Sequence, residues 1–376
     1  MKHPVVIIGA GPAGLATAGA LRMRGIRSVV LEGSEQIAPS WRRHYDRLHL
    51  HTPARFSALP GLPIPKRFGR WVSRDDVVRY LEQYADFQAL DVRTGTSVTG
   101  LRRAGEDDQE WVVSTSAGDL SASAVVVATG YNNTPATPPW PGRESFSGEL
   151  VHASSYRNGS PYAGRRVLVV GIGNTGAEIA TDLAEHGAAE VLIAVRTPPH
   201  IVRRDRGPMS AQLSGIAARR LPTRVVDAVG RRMSALDIPD LSDFGLPKPE
   251  RGLYTRVREG AIPIQDVGIV DAIRSQQVRV VPAVERIFGD DVVLRGGARV
   301  QPDVIIEATG YRRGLDELLA GLDVLDSDGD PLIYDTRAKH PNLYFNGYTN
   351  PISGMLREIR IDANKIAKQI SAQLYP

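Results

Sequence analysis

Two stretches of the chain share one order of hydrophobic and polar positions. In each, a run of four aliphatic residues, at 5–8 and at 167–170, leads into glycines spaced G-x-G-x-x-G. A segment of small and aliphatic residues follows, and then a second aliphatic run, at 28–31 and at 191–195. Short continuous aliphatic runs are typical of strands buried on both faces. Each stretch therefore predicts a strand–turn–helix–strand unit of a parallel sheet.

The first glycine-rich turn has the chemistry of a dinucleotide site. Gly9 permits a tight turn, Gly11 lets a pyrophosphate approach the backbone, and Gly14 lets the helix pack closely on the strand. The helix, predicted over about 15–24, directs free N–H groups and a positive dipole end at the phosphates. Glu32 ends the second strand, where a carboxylate accepts hydrogen bonds from a ribose diol.

The second turn, at 171–176, differs from the first at one informative position. A helix is predicted over 177–185, and Arg196 follows the next strand where the first unit has Glu32. A carboxylate suits a free 2′-hydroxyl, whereas a guanidinium suits a 2′-phosphate through bidentate, charge-assisted bonds. We therefore predict FAD at the first turn and NADPH at the second. A solvated surface charge is the alternative interpretation of Arg196.

Two further strand-like runs, at 125–131 and 304–311, both end in Thr-Gly-Tyr. Their positions before and after the second unit indicate crossovers between domains, although each is also compatible with a simple strand end. A linker rich in Pro, Gly and Ser is predicted over 132–166. A strand over 342–347 and a helix from near Ser353 to about 372 are predicted to close the flavin site. The dipole of that helix would favour the negative charge of reduced flavin.

The predicted fold class is α/β, with two Rossmann-like dinucleotide domains. The NADPH domain, 156–298, is inserted into an FAD domain made of 1–155 and 299–376. Within it, the segment 200–259 departs from the alternation of strands and helices. We predict a helical insertion that caps the active site, with an extra surface helical pair as the alternative. Its apolar residues include Met209, Leu213, Ile216, Met233, Leu236, Ile238 and Phe244.

The amino-acid composition excludes several classes of functional site. The 376 residues include no cysteine, which excludes disulfides, thiolate metal sites and the flavin disulfide reductases that need a redox cysteine pair. No metal-binding motif is present, and no metal is predicted. No apolar run is long enough for a membrane span and no secretory signal is seen, so a cytoplasmic protein is expected. The net charge of +4 is spread over alternating acids and bases, and no nucleic-acid partner is expected.

With both turns placed, the chain resembles the flavin-containing monooxygenases. Residues 146–156 fit that family's F-x-G-x-x-x-H-x-x-x-[YF] signature, just upstream of the second turn. Tyr156 stands where Baeyer–Villiger monooxygenases usually carry Trp. The segments 47–53, 80–85 and 262–268 look like those of the plant YUCCA-type enzymes and their bacterial relatives. The resemblance spans nearly the whole chain.

This resemblance implies an enzyme that uses FAD, NADPH, O2 and a small organic substrate. NADPH would reduce the flavin, dioxygen would add to give a C4a-(hydro)peroxyflavin, and NADP⁺ would stay bound. The hydroperoxide form suits an amine or sulfide, and the peroxide anion suits the carbonyl of a ketone or 2-oxo acid. The sequence leaves the substrate open, and also the choice between monomer and homodimer. An electron-transfer reductase and a non-catalytic dinucleotide-binding sensor remain as alternative functions.

The resemblance also implies a flavin-facing loop. Ser40, Trp41 and the run Leu50, His51 and Thr52 look like that loop in the family. Trp41 would pack on the isoalloxazine, and His51 or Thr52 would reach the flavin N5 or the nicotinamide. Plain core packing is the alternative for Trp41 and Leu50.

His152 of the signature lies in the predicted linker, and we expect it to fix backbone by hydrogen bonds rather than to act as a base. The predicted catalytic residues are His51, Thr52 and Asn174. The predicted cofactor-binding residues are Gly9, Gly11, Pro12, Ala13, Gly14, Glu32, Gly33, Ser40, Trp41, Leu50, His51, Thr52, Val98, Ala128, Thr129, Gly130, Gly171, Gly173, Asn174, Thr175, Gly176, Arg196, Thr197, Ala308, Thr309, Gly310, Tyr311, Gly347 and Met355.

Overall fold

A computed structural model divides the chain into two compact units. The structure describes residues 3–105, 109–206, 209–210, 212, 223–224, 226–228, 230, 237–349, 351 and 353–374. The first unit consists of Met1–Arg42, Thr52–Thr134 and Tyr311–Pro376. The second consists of Arg43–His51 and Pro135–Gly310.

The described residues form the following helices and strands. The α-helices are α1 (Pro12–Arg22), α2 (Pro39–Arg43), α3 (Ala54–Ser57), α4 (Arg74–Phe87), α5 (Asn174–Glu185), α6 (Leu253–Arg258), α7 (Ile269–Arg274) and α8 (Met355–Leu374). The strands are β1 (Val5–Ile8), β2 (Ser28–Leu31), β3 (Val92–Arg93), β4 (Val98–Arg103), β5 (Trp111–Thr115), β6 (Gly118–Ala122), β7 (Ala124–Val127), β8 (Thr134–Pro135), β9 (Glu149–His152), β10 (Arg166–Val170), β11 (Glu190–Val195), β12 (Ile201–Arg203), β13 (Asp205–Arg206), β14 (Met209–Ser210), β15 (Ile264–Asp266), β16 (Arg279–Pro282), β17 (Val284–Phe288), β18 (Asp291–Leu294), β19 (Arg299–Val300), β20 (Val304–Glu307), β21 (Tyr311–Arg312) and β22 (Leu343–Phe345).

The first unit is built on a parallel sheet with the strand order β22-β7-β1-β2-β3. Its central strands β1 and β7 are buried along their whole length, as continuous aliphatic runs predict. The antiparallel sheet β4-β5-β6 adds Leu101, Trp111 and Val113 to the same core cluster.

The second unit repeats this architecture with the parallel order β16-β11-β10-β20-β9. All four residues of β20 are buried, so this strand needs neighbours on both edges, and it has β10 and β9. Two such parallel sheets confirm the predicted α/β fold class with two dinucleotide domains. A separate antiparallel sheet, β17-β18-β19, completes the unit.

The domain limits in the structure differ from those predicted. The second unit takes in 135–310, whereas the predicted limits fell at 155/156 and 298/299. The reason is strand pairing: β9 lies within the predicted linker and β20 within the predicted second FAD part, yet both belong to the second sheet. The nine residues 43–51 also belong to the second unit, which the sequence did not indicate.

Both nucleotide-facing helices begin three residues earlier than predicted. Helix α1 begins at Pro12, because a proline without an N–H and with φ fixed near helical values is favourable at a first position. Helix α5 likewise begins at Asn174. Gly14 and Gly176 therefore belong to the first helical turn, whereas the sequence placed them in the preceding loop. At the other end of the chain, α8 begins at Met355, two residues after the predicted start near Ser353.

The segment 200–259 is described only in part. Its described residues include the short strands β12, β13 and β14, a 3₁₀ turn at Ser242–Phe244 and helix α6. Leu213, Ile216, Met233 and Leu236 of the predicted capping insertion lie outside the described residues. Its capping role remains a prediction. Among the described helices, none is both long enough and apolar enough to span a lipid bilayer.

Candidate cofactor sites

The first glycine-rich turn leaves space only where a ligand would need it. Gly9 has φ +106°, and a Cβ there would lie 2.6 Å from the carbonyl oxygen of Ala128. A Cβ on Gly14 would lie 1.8 Å from the oxygen of Gly9. At Gly11, by contrast, no atom lies within 4 Å of the Cβ position. Two glycines are thus required by the fold, while the third opens the backbone toward the uncapped N-terminus of α1.

Glu32 braces this turn from the end of β2. Its Oε2 accepts a hydrogen bond from the Ala10 N–H at 2.8 Å, and its Oε1 accepts from the Ser34 N–H at 3.0 Å. The Ala10 carbonyl in turn accepts from the Ala38 N–H at 3.0 Å, just before α2. That helix carries Ser40 and Trp41, both half-buried. The carboxylate keeps lone pairs for a ribose diol while holding the turn in shape.

The carboxyl end of the first sheet brings other predicted residues together. The hydroxyls of Thr129 and Tyr348 lie 2.7 Å apart, and burial raises the pKa of Tyr348 to about 12. Gly347 has φ +88°, and a Cβ there would lie 2.9 Å from the Cβ of Ala13. The backbone at Gly347 therefore packs directly against α1 at Ala13, where both residues are small.

Asn346 is a residue of this region that sequence reasoning missed. It is fully buried, and its amide N–H groups face the Thr17 hydroxyl at 2.9 Å and the carbonyls of Ala13 and Ile359 at 3.3 Å. It ties α1 to α8. The only signal in the sequence is a polar residue directly after an aliphatic and aromatic strand.

The second glycine-rich turn has the same steric plan as the first. Gly171 has φ +104°, and its Cβ would lie 2.6 Å from the Ala308 oxygen, while a Cβ on Gly176 would lie 1.9 Å from the Gly171 oxygen. Gly173 again has no atom within 4 Å of its Cβ position, and α5 has no side-chain cap. Both turns thus fit a pyrophosphate.

The side chains after the second turn differ from those after the first. Arg196 and Thr197 are exposed beyond the end of β11, and Arg196 makes no hydrogen bond or ion pair to any residue that the structure describes. Both polar atoms of the Asn174 side chain are hydrogen-bonded within the second unit. Its Nδ2 donates to the Pro263 carbonyl at 3.3 Å, and its Oδ1 accepts from the Gln265 N–H at 2.8 Å. Asn174 thereby fixes the start of β15 beside α5, and its catalytic role remains a prediction.

The 146–156 signature has a structural role in the second unit. His152 Nδ1 accepts from the Ser154 N–H at 3.1 Å, so Nε2 carries the proton and donates to the Gly310 carbonyl at 3.1 Å. Burial lowers the pKa of His152 and favours this neutral form. The ring thus fixes backbone, as expected from the sequence. The Ala136 carbonyl also accepts from the Thr309 hydroxyl at 2.5 Å.

Tyr156 closes the signature by contacting α5. Its ring is fully buried and stacks on Tyr162 with centroids 5.7 Å apart. Its hydroxyl donates to Asp182 Oδ2 at 2.6 Å. Burial and the adjacent carboxylate raise the pKa of Tyr156 far above its usual range.

The predicted flavin-facing loop is divided between the two units. Leu50 is buried, and His51 Nε2 lies 2.9 Å from Glu178 Oε1 in the second unit. Thr52 belongs to the first unit, where its hydroxyl lies 2.8 Å from that of Ser57. Glu178, buried in α5, was also missed by sequence reasoning. The other predicted cofactor residues lie at strand ends or in first helical turns: Pro12, Gly33, Val98, Gly130, Thr175, Tyr311 and Met355.

Known proteins resemble this chain over nearly its whole length. A family model described as pyridine nucleotide-disulphide oxidoreductase matches residues 6–234, which include both glycine-rich turns. Indole-3-pyruvate monooxygenase YUCCA1 of Oryza sativa subsp. japonica is 38% identical over 379 residues, which cover 98% of this chain and 91% of that protein.

Solved structures give a consistent result. The flavin-containing monooxygenase from Stenotrophomonas maltophilia matches with a TM-score of 0.75 at 27% identity, covering 99% of each chain. Cyclohexanone monooxygenase from Rhodococcus sp. Phi1, solved bound to NADP⁺, matches with a TM-score of 0.72 at 21% identity, covering 99% of this chain and 84% of that one. At that identity the likeness shows the shared fold alone.

Proposed function

This chain belongs to the flavin-containing monooxygenases and is an FAD- and NADPH-dependent oxidoreductase, and on that premise we propose that it oxygenates a 2-oxo acid through a C4a-(hydro)peroxyflavin. The relative that is 38% identical is named for indole-3-pyruvate, an aryl 2-oxo acid. Amines and sulfides are the runner-up substrates. The similarity to that relative supports the substrate class, and the pair of matching turns, one followed by Glu32 and the other by Arg196, supports the two cofactors.

The residues present supply binding and orientation. The open backbone at Gly11 and Gly173 and the uncapped helix N-termini bind the two pyrophosphates. Glu32 takes the FAD ribose, and Arg196 takes the 2′-phosphate of NADPH. When bound, the flavin supplies hydride acceptance and oxygen activation, so few protein acids or bases are required.

The first test is oxygen consumption and peroxide release by FAD-loaded protein given NADPH, with a rapid-mixing absorbance spectrum as the reduced protein meets air. We expect a long-lived C4a adduct, slow peroxide release and a preference for NADPH over NADH. Adding indole-3-pyruvate should speed decay of the adduct, whereas a tertiary amine or thioether should not. Immediate reoxidation with fast delivery of electrons to an iron–sulfur protein would replace this proposal with an electron-transfer reductase.

If an amine or a thioether, and not the 2-oxo acid, speeds decay of the adduct, the monooxygenase stands and the substrate class is wrong. The matched comparison is phenylpyruvate against phenyllactate, which differ only at the carbonyl that the proposed chemistry requires. Equal effects of the two would contradict attack on a carbonyl.

A further inference from the structure

Residues 43–51, which we name the α5 strap, are held in the second unit although the chain on both sides belongs to the first. The strap is tied by its backbone, since the Asp46 N–H donates to the Arg157 carbonyl at 2.8 Å. Arg157 Nη1 donates to the His44 carbonyl at 3.0 Å, and Asn158 Nδ2 donates to Asp46 Oδ2 at 2.8 Å. The strap therefore has a defined place in the second unit.

The strap meets an acidic face of α5. Glu178, Asp182 and Glu185 are spaced i, i+4 and i+7, which puts them on one side of the helix. The side chains of Glu178 and Asp182 are only 4% and 6% exposed. Buried carboxylates are costly unless they are paired. The acidic face of α5 therefore needs a partner.

The basic side chains Arg47 and His51 of the strap lie against this face. Arg47 Nη1 donates to Glu185 Oε2 at 2.8 Å and lies 3.8 Å from Asp182 Oδ1. Asp182 also accepts from the Tyr156 hydroxyl. One turn toward the nucleotide end of the same helix, His51 Nε2 lies 2.9 Å from Glu178 Oε1. Each end of the strap thus has its own contact with α5.

The contact between His51 and Glu178 is incomplete. The two atoms are 2.9 Å apart, yet Glu178 Oε1 and His51 Nδ1 are both buried without a hydrogen-bond partner in the described part of the chain. The rest of the strap is satisfied by contrast. A buried polar group left unsatisfied is rare in a folded protein and asks for a functional reason.

We propose that Glu178 is a positioning residue that sets the place and ring orientation of His51, so that the C-terminal end of the strap is held by α5. Glu178 lies one turn from Asn174, the first residue of α5, whose uncapped N-terminus is proposed to bind the pyrophosphate of NADPH. His51 is followed directly by Thr52, where the chain enters the first unit. The part of this inference that concerns the flavin rests on the proposed function.

The direct test is hydrogen exchange of peptides covering 43–51 in FAD-loaded protein, for wild type, Glu178→Ala and Glu178→Gln. We expect exchange in the strap to rise roughly tenfold in Glu178→Ala, the effect of losing one contact with a buried carboxylate, and less in Glu178→Gln, which keeps the size and one side-chain oxygen of glutamate. Peptides covering β10 and β11 should be unchanged. Unchanged exchange in the strap, or equal increases in all three regions, would overturn the proposal.

A matched control is Glu190→Gln, which removes the same charge from an exposed pair with Arg279 in the second unit. It should leave exchange of the strap as in wild type. If Glu178→Ala fails to fold, His51→Asn removes the contact from the side of the strap without changing α5. That variant should loosen the strap by a similar factor, and failure to do so would contradict a role for this contact.

The functional readout is the visible spectrum of bound flavin together with the ratio of peroxide released to NADPH consumed. For Glu178→Gln we expect a shifted flavin absorbance and roughly tenfold faster peroxide release, with the KM for NADPH within about twofold of wild type. A raised KM with an unchanged flavin spectrum would make Glu178 a residue of the nucleotide site alone. If wild type forms no oxygen adduct, the proposed function fails, yet exchange and the spectrum still decide the role of Glu178.

Discussion

The two glycine-rich turns share a backbone and differ in their side chains. At both, the first and third glycines are required by contacts under 3 Å, and the middle glycine faces open space. After the first turn, Glu32 is occupied by N–H groups of its own unit. After the second, Arg196 is exposed and makes no hydrogen bond or ion pair with any residue that the structure describes. We therefore propose that the turn provides phosphate binding in general and that the side chain after the second strand selects the nucleotide.

The largest expected effect is the loss of one cofactor at a time when a turn is filled. Gly14→Ala puts a methyl group 1.8 Å from the Gly9 oxygen, and Gly176→Ala puts one 1.9 Å from the Gly171 oxygen. Each should cost about 3 kcal/mol or more at its own turn. We expect Gly14→Ala to be purified without flavin, and Gly176→Ala to retain flavin that NADPH no longer reduces.

Gly100→Ala is the control for these two variants, because no atom lies within 4 Å of its Cβ position. It should retain flavin and be reduced by NADPH at the wild-type rate. The measurements are the ratio of flavin to protein and the rate of flavin bleaching without oxygen. Loss of flavin in Gly176→Ala would show that the two turns do not act separately.

The second effect concerns the choice of nicotinamide nucleotide. Arg196→Ser removes the guanidinium that is proposed to bind the 2′-phosphate, a charge-assisted contact of about 1.5–3 kcal/mol. The KM for NADPH should rise roughly tenfold to a hundredfold, while the KM for NADH changes little. Arg279→Ser, at an exposed arginine of the same sheet, should change neither value. A similar rise for both nucleotides in Arg196→Ser would assign this residue to the pyrophosphate.

A smaller effect is expected at the first turn. Glu32→Gln replaces one carboxylate oxygen by an amide NH2, which cannot accept from both the Ala10 and Ser34 N–H groups. The affinity for FAD should fall about tenfold, in keeping with the loss of one charged hydrogen bond. Titration of deflavinated protein with FAD, followed by flavin fluorescence, measures this. Unchanged affinity would mean that Glu32 serves only the folded turn.

The smallest effect is a pH dependence that only the second unit should show. Burial lowers the pKa of His152 below its ordinary value of 6.5. Below pH 6.5 the unfolded chain therefore binds more protons at this histidine than the folded chain does. The contribution of this histidine to the free energy of unfolding is at its full value above pH 6.5 and decreases as the pH falls below it. His152→Asn should flatten the fall in unfolding free energy on this side of pH 6.5. An unchanged pH profile would contradict this.

The features that could be predicted from the sequence are those that depend on residues close together in the chain. The paired strands and both turns follow from aliphatic runs and from glycines that a Cβ would exclude. The placement of β9 and β20 in one sheet could not be predicted, because sequence patterns show that a strand is buried but not which strand it pairs with. The contact of His51 with Glu178 joins residues more than a hundred positions apart. The spacing of the acidic residues of α5 at i, i+4 and i+7 can be read in the sequence, but the sequence does not show which residues they contact.

The contact between the α5 strap and α5 limits how early the second unit can fold during synthesis. Residues 43–51 leave the ribosome roughly ten seconds before α5 does, at a synthesis rate of about 5–20 residues per second. Completion of the first sheet is also delayed, because β22 pairs with β7 and is among the last strands translated. Neither unit can be completed as an early, self-contained piece of nascent chain. A nascent protein of this topology must keep its strap accessible until α5 arrives, a long-range closure of the kind that slows folding.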